Sequence, residues 1–385
     1  MIRLLFDADA IRPPLTGIGY YALALAREFS RLSTDIELHC LQWGRLTELE
    51  YVERGLCQPV NPLAKAGRLP FKPLLRATYQ RFKRLSLRRV LAERAADHIL
   101  HTPNFIALPY DGPLVTTVHD LSCFEFPECH PAHRVRWLER ELPHTLERAG
   151  RVITVSEHVR KQLLDRFSLP EDKVVAVLNG YDPAFCPRPP AALAMLRERW
   201  KLPEHYLLTV GTLEPRKNLE RLLEAYLGLP RADRERCPLV LAGGNGWNDE
   251  TLLARLGDAE RDGTVRRLGY VPQTDLPGIV AGARGFVLVS LDEGFGLPLI
   301  EAMACGVPCL TSNCSALPEV AAGAAWLVEP RDVDAIRDGL RILLDDETWC
   351  EHARRHSLAR AAQLGWAQCA RETLAVYRAL APGEI

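Results

Sequence analysis

Residues 285–309 read Gly-Phe-Val-Leu-Val-Ser-Leu-Asp-Glu-Gly-Phe-Gly-Leu-Pro-Leu-Ile-Glu-Ala-Met-Ala-Cys-Gly-Val-Pro-Cys, and they constrain the fold more than any other stretch. The apolar run from Phe286 to Val289 is short and does not alternate with polar residues, which suits a strand buried on both faces of a parallel sheet. Ser290 to Leu297 then read as a loop with two glycines, and Leu299 to Cys305 as a short helix. Pro298 opens that helix, Gly306 closes it and Pro308 prevents its continuation. The result is a strand–loop–helix unit whose helix N-terminus lies where such sheets bind ligands.

Free amides and the helix dipole at that terminus favour an anion, most naturally a phosphate. Gly294 and Gly296 remove the Cβ atoms that would hold a diphosphate away from the backbone. Glu293 lies in the loop and Glu301 about one turn into the helix. An ionised carboxylate only accepts hydrogen bonds and can take two hydroxyls at once. Two of them flanking a phosphate cradle suit a nucleotide sugar, which carries diols on either side of a diphosphate. Taken singly, either glutamate reads more readily as a solvated surface residue, and it is the register of the whole string that favours a site.

The string from Glu293 to Pro308 resembles the E-x7-E signature of retaining glycosyltransferase family 4, with Glu293 and Glu301 as its acids and the glycines and Pro298 in register. The resemblance covers most of the chain. It implies the GT-B architecture, an α/β fold of two doubly wound Rossmann-like parallel-sheet domains facing a cleft. Repeated strand–helix alternation in both halves agrees with that class.

Several further residues match the family's pattern. Gly17 and Gly19 stand in a loop after the first strand (residues 2–8) and before a helix read from Tyr20 to Leu32, where the family approaches the donor diphosphate. His119 ends the strand Leu114–Val118 and matches the family's histidine that touches the donor sugar. A lone histidine is usually structural, but this one sits on the ligand-binding edge of the sheet. Asp120 either orients it or caps the following loop. Gly211, Thr212 and the pair Arg216–Lys217 follow the strand Tyr206–Val210, and the two cations suit a leaving diphosphate. Many family members carry an arginine where this chain has Thr212. Val271 falls in the loop whose backbone holds the nucleobase in the family, and Phe295 and Leu297 complete the donor loop.

The 385 residues are too many for one compact core. The domains are read as 1–187 on the acceptor side, 188–365 binding the nucleotide sugar, and 366–385 as a helix crossing back. Phe185 to Pro190 form the proline-rich linker, just after the turn Asn179-Gly-Tyr-Asp182. A net charge of −1 argues against nucleic-acid binding. No apolar run is long enough to span a bilayer, and Met1 leads straight into a strand without a signal peptide. The eleven cysteines read as reduced and buried. Cys129-His130 with His133, and His352 with His356, lack a second ligand pair and read as surface histidines. Asp7-Ala-Asp9 is formally a metal-binding D-x-D, but at the end of a first strand its acids read as loop and capping residues. Gly17, Gly19 and Ala22 resemble a dinucleotide fingerprint too far from the strand and without the acid after the second strand.

Residues 65–94 are strongly basic, and their apolar residues recur at helical spacing. They read either as a membrane-surface helix, through residues 71–90, or as a core-packed helix with a solvated basic face. The resemblance implies a cytoplasmic retaining hexosyltransferase, peripheral at the inner membrane face on the first of these two readings. Glu293 holds the donor sugar, Glu301 the ribose, and Arg216 and Lys217 the leaving diphosphate, while His119 reaches the sugar from the opposite domain. The resemblance implies front-face attack, with a donor phosphate oxygen taking the acceptor's proton and no metal or other cofactor required. The strings around His119, Gly211 and Glu293 look most like mannosyl- or rhamnosyltransferases of bacterial surface polysaccharides. GDP-mannose or GDP-rhamnose is the first donor and a UDP-sugar the second, with a glycan acceptor on a lipid carrier. A nicotinamide oxidoreductase or a non-catalytic sugar-nucleotide-binding subunit are the rival classes.

Overall fold

The computed structural model describes residues 1–13, 15–56, 87–244 and 250–380. The first sheet is built from β1 (Ile2–Asp7), β2 (Ile36–Gln42), β3 (Arg45–Thr47), β4 (Ile99–Thr102), β5 (Leu114–Val118), β6 (Arg151–Thr154) and β7 (Val174–Ala176). Their spatial order is β3-β2-β1-β4-β5-β6-β7, all parallel except the short edge strand β3. The second sheet contains β8 (Leu207–Val210), β9 (Leu239–Ala242), β10 (Val265–Gly269), β11 (Gly285–Leu288), β12 (Cys309–Ser312) and β13 (Trp326–Val328). It is fully parallel among the described residues, in the order β10-β9-β8-β11-β12-β13.

Every residue of β4, β5, β9, β11 and β12 is buried, as expected of strands covered on both faces; β9 and β11 carry no polar side chain, while β4, β5 and β12 bury His101, threonines and Ser312 as well. In each sheet the winding reverses at the centre, between β1 and β4 and between β8 and β11. The loops leaving such a pair diverge and open a crevice. Apolar clusters lie on the outer side of each sheet, one around Leu222, Leu241 and Leu340 and one around Leu100, Leu142 and Leu163. A third cluster runs through the molecule, from Leu4 and Phe29 through Tyr377 to Phe286 and Leu299.

The helix Trp366–Leu380 packs on the helix Gly17–Arg31 of the first domain, with Cys369, Thr373, Leu374 and Tyr377 buried. The helix Pro190–Trp200 packs instead on Leu276–Ala281 of the second domain. The helical propensity of residues 87–92 is realised, whereas the basic stretch from Lys65 to Arg84, and with it most of the segment read as membrane-facing, lies outside the described residues. Among the described cysteines Cys186 is exposed and Cys314 half-buried, the other eight buried and none bridged.

Candidate active site

The second sheet's crevice is formed by the loop after β8, residues 211–218, and the loop after β11, residues 289–296. The two are knotted together. The amide of Leu291 donates to the carbonyl of Arg216 at 2.8 Å. Asn218, left-handed at φ 58°, donates its side-chain amide to the carbonyls of Val289 at 2.9 Å and Pro330 at 2.6 Å. Gly296 sits at φ 95° as the N-cap of the helix Leu297–Ala304, a conformation that favours glycine. That helix starts at Leu297, one residue before the Pro298 with which the sequence pattern opened it.

Glu293 is the centre of the knot. It is 6% exposed, accepts from Lys217 Nζ at 2.5 Å and Ser290 Oγ at 2.7 Å on Oε1, and from Arg216 Nη1 at 3.1 Å on Oε2. Arg216 also donates to Glu214 at 2.8 Å and to the carbonyl of Asp292. Burial alone raises a carboxyl's pKa, but the two cations prevail and hold Glu293 at about 2. Burial likewise opposes the charge on Arg216, yet Glu293, Asp120, Glu214 and Asp292 keep it protonated above its ordinary range.

Glu301 is in the opposite situation. It is half-buried, no described residue offers its carboxyl a hydrogen bond or ion pair, and burial with the nearby Asp182 pushes its pKa up to about 8. Tyr20 of the first domain lies in the same field. Burial, Tyr270, Glu301 and Asp182 together raise its hydroxyl to about 12.

The first domain closes over this corner. A Cβ on Gly294 would stand 1.7 Å from the carbonyl oxygen of His119, so only glycine lets the two domains meet here. His119, 9% exposed, shares a 2.7 Å hydrogen bond between Nε2 and the carbonyl of Pro103, and Tyr21 stands edge-on to its ring at 4.8 Å. Burial lowers its pKa, so the ring is neutral. Asp120 accepts from the amide of Ser122 at 3.0 Å and its hydroxyl at 2.7 Å, which makes it the cap of the following loop, and its field reaches Arg216. Gly17 lies opposite Leu297, whose Cδ1 is 3.9 Å from a Cβ built on it, so two helix N-termini face each other across the cleft.

Not every expected residue faces this cleft. The helix expected from Tyr20 begins at Gly17, because packing of Tyr21, Leu25 and Phe29 outweighs the poor helix propensity of the glycines. Gly19 is buried, and a Cβ there would stand 2.8 Å from the carbonyl of Ala10, so it serves close packing and does not meet the cleft. Phe295 is in the core, which leaves only its backbone for a ligand. Gly211 borders Lys217, and exposed Thr212 lines the same crevice. Val271 stands after β10, two strands from β8.

His130, read as a surface histidine, is buried. It follows the turn Pro127–Cys129 in the field of Asp120, Arg134 and Arg216, so the polar sequence around it concealed a place on the cleft wall. His352 and His356 stack at 3.9 Å on the helix Glu347–Ala361. Asp7 accepts the amide of Asp9, and Asp9 that of Trp43, so both acids serve the turns after β1 and β2. Sequence reasoning missed Ser290, Ser156 and Glu319 as partners of the Glu293 loop. Ser290 and Ser156 adjoin motifs that were legible, but no sequence spacing points to Glu319.

Comparison with known proteins places the fold and the family. Residues 15–185 match the Glycosyltransferase Family 4 pattern and residues 196–364 the Glycosyl transferases group 1 pattern. O-antigen chain mannosyltransferase B of Escherichia coli is 38% identical over 387 residues, covering 98% of this chain and 100% of that protein. Among solved structures, WaaG, a glycosyltransferase involved in lipopolysaccharide biosynthesis, superposes with a TM-score of 0.71 at 17% identity over 100% of both chains. Anabaena HepE in complex with UDP and glucose gives 0.71 at 16% identity, over 99% of this chain and 100% of that one. The two sheets with their facing crevices are thus the GT-B fold, and the chain belongs to glycosyltransferase family 4, in its mannosyltransferase-like branch.

Proposed function

We propose that this glycosyltransferase moves a hexose, mannose first and rhamnose next, from a GDP-sugar to a lipid-linked glycan in O-antigen or lipopolysaccharide synthesis, with retention at the anomeric carbon. The observation that carries the reading is the buried Glu293, kept ionised between Lys217 and Arg216 at the crevice between β8 and β11. The full-length likeness to an O-antigen chain mannosyltransferase supports the sugar and the pathway class. Glu293 orients the donor sugar's hydroxyls. Lys217 and Arg216, with the N-terminus of Leu297–Ala304, stabilise the charge that develops on the departing diphosphate. The bond from C1 to the diphosphate breaks as the acceptor oxygen bonds to C1 on the same face, and the acceptor's proton passes to the departing phosphate oxygen. His119, neutral, contacts the sugar from the first domain, and Glu301 accepts the ribose hydroxyls. Protein cations fill the role of a metal in this scheme.

The enzyme works at the cytoplasmic face of a membrane, where a lipid-linked acceptor is presented. No helix among the described residues is long and apolar enough to cross one. A thermal-shift series with GDP-mannose, GDP-rhamnose and UDP-glucose tests the donor, since a ligand that binds only the native state raises the melting temperature. GDP-mannose is expected to give the largest rise, and a rise confined to UDP-glucose would replace the donor. The anomeric configuration of the product, read by NMR, tests retention.

A further inference from the structure

The helix Glu157–Phe167 of the first domain begins at the cleft, and its four leading amides can be accounted for one by one. Val159 donates to the N-cap side chain, Ser156 Oγ, at 3.2 Å, and Arg160 to the carbonyl of Ser156 at 3.1 Å. The other two cross to the second domain, where Glu157 N donates to Glu319 Oε1 at 2.9 Å and His158 N to Glu319 Oε2 at 3.2 Å. One carboxylate of the second domain therefore caps a helix of the first, at the dipole end where a negative charge is most favourable. Beside it Ser156 Oγ donates to the carbonyl of Gly294 at 2.6 Å, and His158 Nε2 stands 3.8 Å from Asp292.

Glu319 is also tied to the loop that carries Glu293. It lies in the short helix Leu317–Ala321, whose N-cap residue Ala316 donates its amide to the carbonyl of Glu293 at 3.3 Å. Leu317 packs against Gly296, and Arg360 holds the carbonyls of Glu319 and Val320, each at 3.0 Å. We infer that Glu319 is a positioning residue. By capping the helix Glu157–Phe167 it latches the two domains together and seats Gly294 beneath His119, which sets the Glu293 loop against the opposite wall for reaction. Glu319 has no place in donor binding in this assignment.

Hydrogen exchange at residues 157 and 158, together with small-angle scattering of the free protein, tests the latch without any donor, so it stands apart from the choice of nucleotide sugar. Glu319→Ala should speed exchange of those two amides about tenfold or more and enlarge the radius of gyration, while the melting temperature stays near the wild type's. Glu319→Gln, which keeps an acceptor oxygen and loses the charge, should fall between. Adding Ser156→Ala to Glu319→Ala should change the radius of gyration by less than the sum of the single effects, since both act on one contact. Turnover with GDP-mannose should fall with the latch, with the donor KM unchanged. Unaltered exchange at both amides, or a radius of gyration equal to the wild type's in both Glu319 variants, would overturn the assignment. A lowered donor affinity with intact exchange would also do so, by moving Glu319 into the binding site.

Discussion

Glu293 and Glu301 stand at the two ends of one loop-and-helix unit, and their surroundings treat the same side chain in opposite ways. The first is buried between Lys217 and Arg216 and stays ionised down to about pH 2. The second has no cation within reach among the described residues, lies near another acid and keeps its proton to about pH 8. In the function proposed above, the fixed charge at one end and the titratable group at the other divide the work. Glu293 comes preorganised by the protein, whereas Glu301 has an acceptor site that a ligand with hydroxyl donors would complete.

The most severe test of this contrast is Glu293→Ala. Turnover should fall by about 2–4 kcal/mol of transition-state stabilisation. Stability should also drop by about 3 kcal/mol, because Lys217 loses its carboxylate partner and Arg216 one of its two. Glu293→Gln keeps the shape and should separate the effects. Because the folded carboxyl sits at about 2 and the ordinary value is 4.5, Glu293 stabilises the fold above pH 4.5, and that contribution is lost as pH falls toward 2. Acid titration of the Gln variant should lack that part of the descent.

Lys217→Met should weaken GDP binding about tenfold, measured by calorimetry, and unchanged affinity would remove Lys217 from the diphosphate site. Glu301→Gln should have a smaller effect on affinity, about fivefold, together with a distinctive pH signature. The native carboxyl holds a proton up to about 8 and the unfolded one only to 4.5, so stability falls as pH rises through that window. The Gln variant should lose this slope and melt about 2 °C or more above the wild type at pH 9. A parallel melting profile in both proteins would erase the contrast between the two acids. Last, EDTA should leave activity unchanged, and a strict requirement for Mn2+ would return attention to Asp7 and Asp9.

What was legible in the sequence follows from what is local. The strand–loop–helix units were readable because fully buried strands carry unbroken apolar runs and because Pro298 and Gly306 mark helix ends. The ion pairs of Glu293 were not, since Lys217 lies 76 positions away and meets it only because β8 and β11 are neighbours in the sheet. Gly17 and Gly19 misled for a different reason. Their low helix propensity placed them in a loop, and burial of the helix's apolar face reversed it. His130 shows a different limit, since the burial expected of Cys129 was not extended to the histidine beside it.

The path of the backbone between the domains has a mechanical consequence. The chain passes once near residue 180 and returns at residue 366, and the two passages touch, with Gly180 so close to Trp366 that a Cβ would stand 2.2 Å from its amide nitrogen. Both covalent crossings thus lie at one spot, and a turn of one domain on the other about that spot would part Gly294 from His119 while moving the chain near residues 180 and 366 least.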